Sequence, residues 1–218
     1  MSQSCPDAHH DVNYVRPIHA RYVDPVDIIW LSTAHELGLT IRRHPDVFGM
    51  TEGDGILHLG NRDSLDPDDS VLQMVLHEIC HWITNGIDAY EKRDWGFEMD
   101  SGIDPREHAC QRLQCHLADS VGLRDMLGAT GEFRQYWDRI PKNPTEPMDD
   151  SAWEATVCEI AEAAITRAHK PPFFGPLSKA LHTTAAIRLQ LEPFLNHYKS
   201  ETKDDALPTL WHAQAEKI

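Results

Sequence analysis

The stretch whose residue types and spacing can do chemistry is His77-Glu78-Ile79-Cys80-His81. Histidines four apart share one face of a helix, so both imidazoles can reach one ion, each through a nitrogen at about 2.0–2.1 Å if the ion is zinc. Glu78 lies beside that face. There a carboxylate can take the proton of a water in the ion's open coordination position, whose pKa the ion lowers. The alternative is a helix with two solvent-facing histidines and a chance glutamate between them.

Two imidazoles hold an ion loosely, so a third protein ligand is expected from elsewhere. Glu107 is the candidate, on the following helix, with Cys110, Gln111 and Gln114 on its face by three-four spacing. Gln111, one turn on, can accept a hydrogen bond from the far nitrogen of a ligating histidine and fix its tautomer. Glu107 also stands three residues after Asp104 and can instead be the capping-box acid of its own helix. His108, Glu98, Asp100 and Asp94 are the substitutes. Cys80 points away from the His77/His81 face by helical geometry, and without a C-x-x-C pair both Cys80 and Cys110 read as core thiols. Trp82, Trp95 and Phe97 can line a substrate pocket or pack as core.

The elements that must position these residues follow from punctuation and periodicity. Asp24-Pro25-Val26-Asp27 reads as a helix start, and Gly38 as the cap that ends the helix near Leu37. Residues 39–44 and 56–59 read as short strands that pair, with Gly53-Asp54-Gly55 as a turn between them. The Ile56–Leu59 strand, with Leu57 and Leu59, is expected to offer an edge to an extended peptide. Asp66-Pro67 marks the start of the metal helix and Gly86 its stop; Leu72, Val75, Leu76, Ile79, Cys80 and Ile83 recur at helical spacing and should face the core. Asp104-Pro105 opens a helix to about Val121, Ser151-Ala152-Trp153-Glu154 one to about His169, and Pro176 one to about Tyr198. The fold class is α+β, mostly helical with a small sheet. The expected division is an irregular arm over 1–23, a single domain over 24–198 and a polar tail over 199–218.

Composition narrows the partners. A formal charge of -15 with no local basic cluster repels phosphate backbones and anionic lipid headgroups, which excludes nucleic acid and membrane as partners. No apolar run approaches the roughly 18 residues of a membrane span, and no secretory signal is visible, so a cytoplasmic address is expected. The five cysteines are odd in number and scattered, unlike a disulfide framework.

His77-Glu78-Ile79, His81-Trp82, Gly86 and Asp94-Trp95-Gly96-Phe97, with Glu107 and Gln111 downstream, resemble the metal motif of the elongation factor P hydroxylases over about residues 55 to 117. The resemblance implies a zincin-like core in which His77, His81 and Glu107 are the ligands of iron or zinc. Its hydroxylase chemistry would use Fe(II) and O₂ on a protein lysine. That substrate is acidic, and a chain at -15 meets it with repulsion. A hydrolytic reading uses Glu78 as base, Zn as the ion and a peptide or protein as substrate. A noncatalytic metal-binding protein is the third reading.

Overall fold

The computed structural model describes residues 23–61, 64, 65, 69–97 and 104–195, together with Val15, Pro17 and His19. Most of the arm expected over 1–23, and all of the tail expected over 199–218, lie outside the described residues.

Helix α1 (Pro25–Glu36) starts where Asp24 accepts the amide of Val26 at 2.9 Å and Pro25 supplies a preset φ. It ends at Leu37, after which Gly38 takes φ +86°. Strands β1 (Thr40–His44), β2 (Gly49–Thr51) and β3 (Ile56–Gly60) follow. The sheet order is β1-β3-β2, with β1 parallel to β3 (Ile41 opposite Leu57) and β2 antiparallel to it (Gly49 opposite Leu59). The two strands read from the sequence do pair. The expected role of Ile56–Leu59 as an edge does not hold, because β2 occupies one side of β3 and β1 the other. Leu57 and Leu59 are fully buried in the core rather than offered to a peptide.

Helix α2 (Val71–Asn85) begins later than Asp66-Pro67 suggests. Its N-cap is Ser70, whose hydroxyl accepts the amide of Gln73. Leu72, Val75, Leu76, Ile79, Cys80 and Ile83 are all buried, each worth roughly 1.5–3 kcal/mol for a large side chain. That row fixes the rotation of the helix, and so the direction of His77 and His81. Gly86 stops the helix at φ +99°, and two 3-10 turns, Ile87–Glu91 and Arg93–Gly96, lead away.

Helix α3 (Pro105–Asp119) packs along α2, with Asp104 accepting the amide of Arg106 at its start. A four-residue helix α4 (Arg134–Trp137) interrupts the loop read between α3 and the C-terminal part. Helix α5 (Ala152–Ala168) is capped by Ser151, which accepts the Glu154 amide. The Glu154 carboxylate instead pairs with Arg112 of α3, both groups being buried. Arg112 also donates to Tyr136 Oη at 2.7 Å and to the Glu146 carbonyl at 2.9 Å, which locks α3 against α5. Helix α6 (Phe174–Leu195) starts two residues before Pro176, and Tyr198 lies outside the described residues. One hydrophobic cluster runs from α1 through β3, α2 and α3 to α6. Among the described residues no helix is long and apolar enough to cross a membrane.

Candidate metal centre

The centre is built on α2 and α3, and its logic begins at Gln114. The amide nitrogen of Gln114 donates to the Leu127 carbonyl at 2.6 Å, which turns Gln114 Oε1 toward His77 Nδ1 at 2.9 Å. An oxygen can only accept, so His77 carries its proton on Nδ1 and presents a bare Nε2. That Nε2 stands 2.8 Å from His81 Nε2 and 3.7 Å from Glu107 Oε1, while His81 Nε2 is 3.4 Å from Glu107 Oε2. Burial, followed by the neighbouring His77, pushes the His81 pKa well below its usual value, so this imidazole is neutral and able to ligate.

Two imidazole nitrogens and a carboxylate thus converge from two helices. Donor atoms bound to one tetrahedral ion at about 2.0–2.1 Å stand about 3.3 Å apart. The two Glu107 separations, one from each carboxylate oxygen, are close to that, and the imidazole pair needs to open by about half an ångström. Among the described residues His81 Nδ1 and Gln111 Oε1 are buried without a hydrogen-bond partner, and neither is one of the three converging donor atoms. The donor set therefore fits a divalent cation. Cys110 competes as third ligand, since its sulfur, His77 and His81 each place one ligand atom within 4.8 Å of the others. Its sulfur meets the Nδ1 edge of His77, at 3.9 Å, the edge already given to Gln114. Glu107 meets the free Nε2 edge.

Glu78 lies between the cluster and the sheet, within electrostatic range of His77 and Glu107 and against β2. Trp95 Nε1 donates to its Oε2 at 2.8 Å. On the other side Gly49 of β2 comes so close that a Cβ there would lie 2.0 Å from Oε1. Burial raises the Glu78 pKa; His77 and the Trp95 bond oppose this, and Glu107 and Asp94 add to it. Trp95 reaches Glu78 only because Asp94 and Trp95 both adopt left-handed backbone, φ 46° and 55°, a conformation costing roughly 1–2 kcal/mol per non-glycine residue. The Asp94 carboxylate takes the Thr51 amide, and its pKa is raised chiefly by burial.

Several sequence expectations change place. The histidine-orienting role expected of Gln111 falls to Gln114; Gln111 lies instead 3.4 Å from Glu107 Oε1. Glu107 faces the imidazoles, so Asp104 alone caps α3. Trp82 and Trp95 are core, not pocket, with indoles stacked at 5.7 Å and 9° and with Phe173 against Trp82 at 4.8 Å. Phe97 does border the centre, edge-on to His81 at 4.4 Å with Arg106 over its face. His108 turns away and stacks on Tyr136 at 3.7 Å, Asp94 is engaged with Thr51 and Arg93, and Glu98 and Asp100 lie outside the described residues. Gly49 and Gln114 are the residues that sequence reasoning left without a role. Gln114 stands two turns after Glu107, a spacing that could have singled it out; Gly49 carries no such signal.

No protein-family model, no curated protein and no solved structure matches this chain.

Proposed function

We propose that this chain is a metal-dependent hydrolase with a zincin-like core, in which His77, His81 and Glu107 hold one divalent ion, Zn²⁺, and Glu78 is the general base acting on a peptide substrate. The observation that carries the reading is the placement of Glu78. It is next to a ligand in sequence, is not itself a ligand, has a raised pKa, and is held by one indole bond against a strand. A bound divalent ion supplies Lewis acidity and makes a water acidic enough to be deprotonated near neutral pH. Glu78 accepts that proton and returns it to the leaving amine. Trp95 fixes the carboxylate's orientation, and Gln114 fixes the His77 tautomer. The edge strand beside Glu78 is β2, so an extended peptide is placed there rather than on β3. Asp94 already takes the Thr51 amide, which confines pairing to the Gly49 end.

One observation favours a second reading, a non-haem Fe(II) hydroxylase of the elongation factor P type. Two nitrogens 2.8 Å apart, each about 2.0–2.1 Å from an ion, subtend nearly a right angle, the octahedral bite of a two-histidine, one-carboxylate iron site. Glu78→Gln separates the two. For a hydrolase it keeps full metal and lowers peptide turnover by roughly 10²–10⁴-fold. Full metal with turnover near wild type overturns the hydrolytic reading, and O₂ uptake with bound iron replaces it by the second. Absence of turnover with either metal leaves a noncatalytic metal-binding protein.

A further inference from the structure

The ring of His77 is approached from both edges by groups of different chemical hardness. The Nε2 edge looks at His81 and the Glu107 carboxylate. The Nδ1 edge looks at Gln114 Oε1 and, at 3.9 Å, at Cys110 Sγ. Cys110 is fully buried and its sulfur lies 3.6 Å from the His77 carbonyl, so it is held against this histidine and cannot turn to solvent. One ligand atom from each of His77, His81 and Cys110 already stands within 4.8 Å of the other two. On a tetrahedral ion with bonds of about 2.3 Å to sulfur and 2.0–2.1 Å to nitrogen, these atoms stand about 3.3–3.6 Å apart. The sulfur and His77 Nδ1 close by a few tenths of an ångström, and His81 closes from within 4.8 Å by about an ångström or less.

We propose that the two histidines serve two alternative donor sets, with Glu107 as third ligand for hard and borderline ions, Zn²⁺ among them, and Cys110 as third ligand for the more thiophilic ions such as Cd²⁺. Carboxylate oxygen suits Mg²⁺ and Mn²⁺, whereas thiolate selects soft cations. The exchange is balanced without redox chemistry. The Cys110 S–H bond breaks, a sulfur–metal bond forms, and the proton leaves to buffer. His77 gives up its bond to Gln114 and carries its ring proton on Nε2 instead. The consequence is an inhibitory state: a thiophilic ion draws His77 away from Glu107 and disassembles the centre that Glu78 serves. The inference rests on the metal centre of the reading above, and not on its hydrolytic chemistry.

The test is Cd²⁺ titration of the full chain, read by ultraviolet thiolate-to-metal charge-transfer absorption and by the ¹¹³Cd chemical shift, beside Mn²⁺ binding followed by electron paramagnetic resonance. Wild type is expected to show one sulfur donor per Cd²⁺. Cys110→Ser should lose the absorption band and weaken Cd²⁺ binding at least tenfold while leaving Mn²⁺ unchanged. Glu107→Gln and Gln114→Leu should weaken Mn²⁺ at least tenfold and leave Cd²⁺ within about threefold. Cys80→Ser, at the adjacent buried thiol, should change neither. A wild-type ¹¹³Cd shift of nitrogen and oxygen donors only overturns the proposal without any variant having to fold. So does a band lost in Cys80→Ser but kept in Cys110→Ser. Either result leaves the hydrolase reading standing. Conversely, absent peptide turnover leaves the Cd²⁺ result unaffected.

Discussion

Gly49→Ala isolates the position of Glu78 from everything else in the centre. A Cβ at residue 49 would stand 2.0 Å from Glu78 Oε1 and 2.7 Å from Cδ, against an ordinary carbon–oxygen contact of about 3.3 Å or more. The carboxylate must retreat by over an ångström or β2 must lift from β3. Gly49 has no left-handed φ, so alanine adds no backbone strain and the effect is steric alone. Overpacking of this kind costs about 1–3 kcal/mol, which at about 2–4 °C per kcal/mol for a chain of this size lowers Tm by about 2–12 °C. Displacing a catalytic group by about 1 Å costs on the order of 10²-fold in turnover. The ligands are untouched, so metal content should stay at the wild-type level. Calorimetry, elemental analysis and peptide turnover check the three quantities. Glu78→Asp in the Gly49→Ala background shortens the side chain and should recover stability but not activity. A Gly49→Ala protein with wild-type Tm and turnover within about threefold refutes the placement of Glu78 under β2.

Gln114→Leu removes the acceptor that holds His77 in its Nδ1–H tautomer, and zinc affinity should fall about 10–100-fold in a competition titration with a chromophoric chelator. Glu154→Leu leaves Arg112 as an uncompensated buried cation and should cost about 3–5 kcal/mol in urea unfolding; adding Arg112→Met should recover a substantial part of the loss. Asp27 is half-buried, and burial, helped by Asp24 and opposed by Arg43, lifts its pKa from 3.8 to about 6. The folded state therefore keeps a proton that the unfolded chain has lost, so this contribution is complete below about pH 4 and gone as pH rises through 6. Solvent screening holds it to about 1 kcal/mol. Asp27→Asn should accordingly show its largest relative stabilisation at pH 8 and none at pH 3.5 in thermal melts.

The parts of this fold legible in the sequence are those whose signal is local and periodic. The apolar row of α2, the Asp-Pro starts of α1 and α3, and the Ser151 cap each need only a few neighbouring residues to be read. The true start of α2 was equally local, a Ser70-x-x-Gln73 capping box, but the nearby Asp66-Pro67 offered a stronger-looking signal of the same kind. β2 was not legible because Gly49-Met50-Thr51 is too short to show alternation. Without β2, β3 looked like an edge, and its two leucines looked available. In the centre, Glu107 lies beside both imidazoles, in keeping with its place on the helix that follows α2. The choice between Gln111 and Gln114 is not legible in the sequence, because it depends on how α3 is rolled against α2, which spacing within α3 does not fix.

The same three residues after α2 carry two tasks that a looser turn could not combine. Asp94, Trp95 and Gly96 all have positive φ, and the first two incur a strain of roughly 1–2 kcal/mol each. Three contacts offset it: the Trp95 indole buried against Trp82, its N–H given to Glu78, and the Asp94 carboxylate on the Thr51 amide. The first contact would stabilise any turn of this shape. The other two bind the turn to Glu78 and to the edge strand, so Glu78 and β2 are tied to one rigid piece of backbone. Relaxing that backbone would move both at once. A Trp95→Phe substitution keeps most of the stacked area but removes the N–H, leaving a buried carboxylate without its donor. It should cost about 1–3 kcal/mol and lower turnover while sparing metal affinity, whereas a purely packing role for Trp95 predicts a stability loss with turnover intact.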